Sequence, residues 1–168
     1  MPNIHLTLAG PPEAAYPNGG DEAYWMGQVA GALAAGLNSR GIALCWGPPQ
    51  EEGALWLALC SQAAPPEREG QLKGPALCFR AGDITGGRAA RALAKALEEA
   101  YPQPELIQAR EEPSLPELEA APCPGVAVRL LYRDNPQDEA WLARSTGAAG
   151  QALARGLAQA LKGLCPHA

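Results

Sequence analysis

Short apolar runs alternate along the chain with longer stretches in which apolar residues recur every three or four positions, the pattern of strands alternating with helices. Residues 3–8 (NIHLTL) alternate and stop at Ala9-Gly10-Pro11-Pro12, predicting a first strand followed by a polar loop. Asp21 is placed to cap a helix over 22–40, with Met26, Val29, Leu33 and Leu37 on one face and Gly41 just past its end. Apolar runs at 42–46, 54–60 and 75–80 predict three more strands. A second helix is expected over 86–100, capped by Thr85 and stopped by Pro102. Residues 105–110 read as a short edge strand and 111–124 as a Pro-rich loop. The run 125–132 (GVAVRLLY) is apolar at nearly every position, as in a strand covered on both sides. It leads to Asn135, a good N-cap, with Pro136 at the first helical position and Asp138 and Glu139 favouring the helix dipole. A last helix is expected over 146–162, carrying Leu153, Leu157 and Leu161.

This order predicts one α/β domain over residues 1–168, with a central, mostly parallel sheet of five or six strands and helices on both faces. Ligands of such sheets sit outside the carboxyl ends of the strands. Glu13 and Glu22, after the first strand, and Cys60 and Ser61, after the third, are aimed there. Arg129 interrupts the last apolar strand. A guanidinium keeps its charge, so inside a fold it needs a carboxylate, a cage of carbonyls or an open cleft. Trp25, Trp56 and Trp141 occupy core-like positions, whereas Trp46, beside Gly47-Pro48-Pro49, is a candidate ligand contact.

Composition narrows the picture. With 47% hydrophobic residues in 168, the chain can bury a sizeable core. A net charge of −5 with no basic patch argues against a nucleic-acid surface. The five cysteines are odd in number, widely spaced and without a CxxC pair, which favours a reduced, cytoplasmic protein over a disulfide scaffold. The first residues lack the charged and long apolar regions of a signal peptide, and no run is long enough to span a membrane; phage-type release by another protein is compatible with both.

Gly20-Asp21-Glu22-Ala23-Tyr24-Trp25-Met26 with its helix, and Tyr132-Arg133-Asp134-Asn135-Pro136 with Glu139, Ala140 and Trp141, resemble the zinc-dependent N-acetylmuramoyl-L-alanine amidases that cut peptidoglycan. The similarity covers most of the chain and includes Leu55 to Ala63 (LWLALCSQA), which resembles the strand ending in that family's histidine-Ser-Asn-Ala turn. The resemblance implies a zinc held by two histidines and a glutamate, with a further glutamate as general base. Glu22 matches the zinc-binding glutamate. The first histidine would fall within 11–14, the second at Cys60 and the general base at Arg129, so these groups are not matched. His5, within the first strand, and His167, near the C-terminus, are not placed to replace them.

A catalytic zinc needs three protein ligands and one open position. Glu13, Glu22 and Cys60 are the set that could supply them. Arg129 opposes this: a divalent ion and a guanidinium about 4 Å apart repel by roughly 8 kcal/mol at an effective dielectric of about 20. The expectation is that Arg129 instead pairs with Glu22 or Glu13 and that no cofactor is held. The favoured function is a catalytically degenerate amidase-like domain that binds a peptidoglycan fragment or a partner protein. The alternatives are an active hydrolase with zinc on Glu13, Glu22 and Cys60, and a structural assembly module. The oligomeric state is not legible.

Overall fold

The computed structural model describes residues 3–119 and 122–164. Six strands form one sheet: β1 (Ile4–Leu8), β2 (Leu44–Trp46), β3 (Leu55–Gln62), β4 (Ala76–Arg80), β5 (Gln108–Glu112) and β6 (Gly125–Tyr132). Their order is β2-β1-β3-β6-β4-β5, and every pairing is parallel except β4 with β6. The three helices are α1 (Glu22–Asn38), α2 (Ile84–Leu97) and α3 (Pro136–Leu164). The expected sheet is therefore present, with local adjustments. The edge strand lies at Gln108–Glu112, because Pro104–Leu106 forms a helical turn instead. Asp83 rather than Thr85 caps α2, its Oδ1 accepting from Gly86 N at 2.7 Å. The helix begun at Pro136 and the expected last helix meet end to end within α3 at a kink, where Ser145 is non-helical (φ −134°, ψ 18°).

Strand alternation divides the sheet's side chains into two layers. Ile4, Leu6, Leu55, Leu57, Leu59, Leu77, Phe79, Val126 and Val128 share one layer with the apolar stripes of all three helices. Large branched residues face helices because those can fill the volume between helix and sheet. The opposite layer holds smaller residues: Ala54, Ala58, Cys60, Ala76, Cys78 and Ala127, with Trp56. Leu115, Leu118 and Cys123 of the segment before β6 cover it. Helices were expected on both faces; among the described residues the second is covered by a strap that includes the helical turn Pro116–Leu118. Small side chains let the strap lie close to the sheet.

The cysteines follow their layers. Cys60, Cys78 and Cys123 are buried free thiols and Cys45 is half-buried and free, while Cys165 and His167 lie outside the described residues. Trp141 is buried and donates to Ala100 O at 2.8 Å. Trp56 donates to Thr7 Oγ1 and Trp25 to Gly19 O, both at 2.9 Å.

The helix layer is packed by small residues. Gly150 of α3 lies so close to α1 that a Cβ there would meet Val29 O at 2.6 Å and Leu33 N at 2.8 Å. A Cβ at Gly147 of the same helix would meet nothing within 4 Å. Replacing helical glycine by alanine ordinarily gains up to about 1 kcal/mol, whereas overpacking costs about 1–3 kcal/mol. Gly150→Ala is therefore expected to lose about 1 kcal/mol net and lower Tm by about 2–4 °C. Gly147→Ala is expected to raise Tm slightly, and calorimetry on the pair reads both signs.

Candidate functional site

The carboxyl ends of β1 and β3 converge on Glu22, the first residue of α1. Asp21 caps that helix by accepting from Tyr24 N at 2.9 Å, which places the Glu22 side chain at the helix start. Its carboxylate is turned inward and only 1% exposed. It accepts three hydrogen bonds, from Tyr16 Oη at 2.7 Å, Ser61 Oγ at 2.6 Å and Ser61 N at 2.8 Å. Ser61 Oγ in turn accepts from Arg133 Nη1 at 3.1 Å. Arg133 thus brings positive charge to the buried carboxylate through one hydroxyl. Gly10 closes the remaining side: a Cβ there would stand 2.0 Å from Glu22 Oε2, so only glycine fits. Burial lifts the Tyr16 phenol well above its ordinary range; its bond to Ser61 acts the other way, and Glu22 adds to the rise.

The second predicted group forms a separate cluster. Cys60 and Arg129 are register partners across β3 and β6. The sequence led to the expectation that Arg129 pairs with Glu22 or Glu13; it pairs with neither. Its Nε donates to Glu117 Oε1 at 3.0 Å and its Nη2 to Glu117 Oε2 at 3.4 Å, while Nη1 lies 3.8 Å from Glu112 Oε1. The reason is strand alternation. Consecutive strand residues point to opposite faces, so Cys60 and Arg129 face the strap while Ser61 reaches Glu22. Arg129 meets the carboxylates available on its own face, Glu117 of the strap and Glu112 of β5. Burial, the largest single influence, works against the guanidinium charge, but the Glu117 bond together with the nearby acid and thiols holds its pKa above the ordinary value.

Glu13 is exposed on the loop after β1, and Trp46 is 61% exposed on edge strand β2. Glu13, Glu22 and Cys60 are not brought together as a ligand set. Among the described residues no group of three His, Cys, Asp or Glu side chains is placed to hold a metal ion. His5 is turned to the β2 side, with Nδ1 3.1 Å from Gly47 O. Glu22 is already engaged by three donors, while the Cys60 thiol and Arg129 lie on the strap side of the sheet.

The segment after β6 fastens the loops around this site. Asp134 accepts from Ala64 N at 2.9 Å and Gly70 N at 2.8 Å. Asn135 Oδ1 caps α3 by accepting from Gln137 N at 2.9 Å and Asp138 N at 3.1 Å. Buried Asp138 accepts from Gly74 N and Tyr132 N, both at 2.9 Å, and from Tyr101 Oη at 2.5 Å. Glu139 accepts from Asn18 N at 2.7 Å and Asn18 Nδ2 at 2.5 Å, pinning the loop that carries Tyr16.

No protein-family model and no curated protein matches the chain. Solved structures do. The N-acetylmuramoyl-L-alanine amidase AmiC2 of Nostoc punctiforme is 13% identical, with a TM-score of 0.76 over 95% of this chain and 97% of that one. The fold is that of the muramoyl amidases. The catalytic domain of CwlV, the amidase of Bacillus (Paenibacillus) polymyxa var. colistinus, agrees at 12% identity and a TM-score of 0.74, covering 96% of this chain and 99% of that one. Cwp6 from Clostridium difficile is 16% identical with a TM-score of 0.77; the match covers 96% of this chain but spans 30% of that protein's length. At these identities the likeness establishes the architecture alone.

Sequence reasoning singled out Glu22, Cys60, Ser61 and Arg129 but missed Tyr16, Gly10 and Arg133 as partners of the carboxylate. Tyr16 sits in an aperiodic loop, which carries no signal of inward direction. Arg133 belongs to the Tyr132–Pro136 motif, and its place two residues before a cap puts it at the strand's carboxyl end, a signal that could have found it.

Two measurements test these arrangements. In Glu22→Gln the amide nitrogen must face a donor, because Tyr16, Ser61 Oγ and Ser61 N all donate. Stability is expected to fall by about 2–4 kcal/mol, read as a lower denaturant midpoint at unchanged m. Burial pushes the Cys60 thiol up to about 12, with Glu117 and Glu22 adding to the rise and Arg129 opposing it. At pH 8 its thiolate fraction is about one in ten thousand, so iodoacetamide should spare the Cys60 peptide while labelling Cys45. The raised value also favours the folded state below pH 9 and loses that advantage as pH climbs toward 12.

Proposed function

We propose that this chain is a catalytically degenerate amidase-fold domain that binds a peptidoglycan fragment or a partner protein instead of hydrolysing muramoyl amides. The reading rests first on Arg129. It stands where the resemblance puts a proton-accepting glutamate, and its 3.0 Å contact with Glu117 ties it to a structural task. A positioned base contributes about a hundred- to ten-thousandfold in rate, and a guanidinium cannot accept a proton. Glu22 supports the same reading, since its oxygens serve Tyr16 and Ser61. The fold is consistent with either kind of partner. Its neighbours include peptidoglycan amidases, and one of them, the CwlD amidase from Clostridioides difficile, is described in complex with the GerS lipoprotein (TM-score 0.75, 10% identity, 95% of this chain and 98% of that one). Among the described residues no helix is long and apolar enough to cross a membrane, so a membrane-spanning role finds no support there.

The deciding experiment pairs elemental analysis of the purified protein with an assay of muropeptide release and a peptidoglycan pull-down. Substoichiometric zinc, no release and either retention on peptidoglycan or capture by a purified partner are expected. Stoichiometric zinc accompanied by turnover would replace the proposal with an active hydrolase.

A further inference from the structure

A cleft of about 470 Å³ opens beside the site, between the ends of β3 and β6 and the starts of β4 and β5. That volume lies within the range of small-molecule pockets, about 300–1,000 Å³. Its polar lining comes from Gln62, Gln71, Lys73, Gln108, Arg110 and Tyr132. Two of these are cations, Lys73 and an Arg110 that is ion-paired with Glu112, and none of the lining residues is an acid, in a chain whose net charge is −5. Leu72 and Leu106 supply an apolar wall.

The position is built. Gln62 and Tyr132 are register partners at the ends of β3 and β6, and Ala76, also in the lining, pairs with Arg129 across β4 and β6. Gly74 (φ +105°) turns the chain tightly into β4, where a Cβ would stand 2.8 Å from Leu106 O. Asp138 holds Gly74 N at 2.9 Å. Arg110 is held in plane by Glu112, which accepts from Nε at 2.7 Å, and by Gln108, which accepts from Nη1 at 2.7 Å. Lys73 is steadied by a hydrogen bond to Gln137. At the inner wall, Gln62 Nε2 is buried without a hydrogen-bond partner among the described residues. A buried amide donor left unpaired costs about 1–3 kcal/mol, which an acceptor in the cleft would recover.

We propose that this cleft binds a small organic carboxylate that also carries an amide. Lys73 and the Nη edge of Arg110 that Glu112 and Gln108 leave free meet the carboxylate. The glutamine carboxamides, Gln62 foremost, pair with the amide, which presents one acceptor and one donor as they do. The connecting carbons lie on Leu72 and Leu106. The site uses neither Glu22 nor Cys60, so it stands whether or not amide hydrolysis survives.

Calorimetric titration of the intact chain with 4-acetamidobutyrate tests this, beside its neutral counterpart 4-acetamidobutyramide and inorganic phosphate, in buffer containing EDTA. The carboxylate is expected to bind about tenfold or more tighter than either control, equivalent to about 1.4 kcal/mol. Lys73→Gln and Arg110→Gln should each weaken it by about tenfold, and Gln62→Leu should weaken it severalfold with an unchanged thermal melt. Lys73 contacts only another surface side chain, so its variant remains informative if Arg110→Gln disturbs the edge strand. Equal binding of the neutral amide or of phosphate, unaltered affinity in Lys73→Gln, or no binding of the carboxylate at all would each overturn the assignment.

Discussion

A carboxylate leaves water only when other donors replace it, and the interior around Glu22 is arranged to meet that demand. Tyr16, Ser61 Oγ and Ser61 N converge on it, and Arg133 supplies positive charge one hydroxyl away. Moving an ion from water into a protein costs several kcal/mol, against about 1.5–3 kcal/mol recovered per charge-assisted hydrogen bond. Three such bonds roughly balance the penalty. The network therefore adds little net stability but specifies where the loop after β1, the start of α1 and the end of β3 meet. Gly10 shows how tight that meeting is.

The same device recurs around the sheet's end. Asp134 and Asp138 accept backbone N–H groups along the β3–β4 connection and Glu139 one from the loop after β1, so the helix entry after β6 acts as a common anchor for segments around residues 18, 64–70 and 74. Loops are otherwise the least constrained parts of a fold. Here their backbone donors are satisfied by side chains of one rigid element, and the cleft between β4, β5 and β6 inherits its shape from that anchoring.

How much of this was legible in the sequence depends on what kind of signal each part carries. Periodicity and capping grammar marked β1, α1, β6 and the Asn135-Pro136 helix start, because those signals are local. The edge strand Gln108–Glu112 was displaced because its charged sequence has no apolar alternation, and tertiary pairing with β4 decides it. Arg129 was correctly marked as needing a counter-charge. Its partner could not be read, because Glu117 sits in a Pro-rich strap without periodicity and because choosing between Glu22 and Glu117 requires knowing which sheet face each occupies. The disposition of the helices failed for a related reason: alanine and cysteine runs read as buried without saying whether a helix or a strap covers them.

The ion pair between Arg129 and the strap also limits what position 129 can accept. With Glu112 and Glu117 already gathered on that face, a glutamate there would set three acids beside the Cys60 thiol and leave the strap without the cation that fastens it to β6.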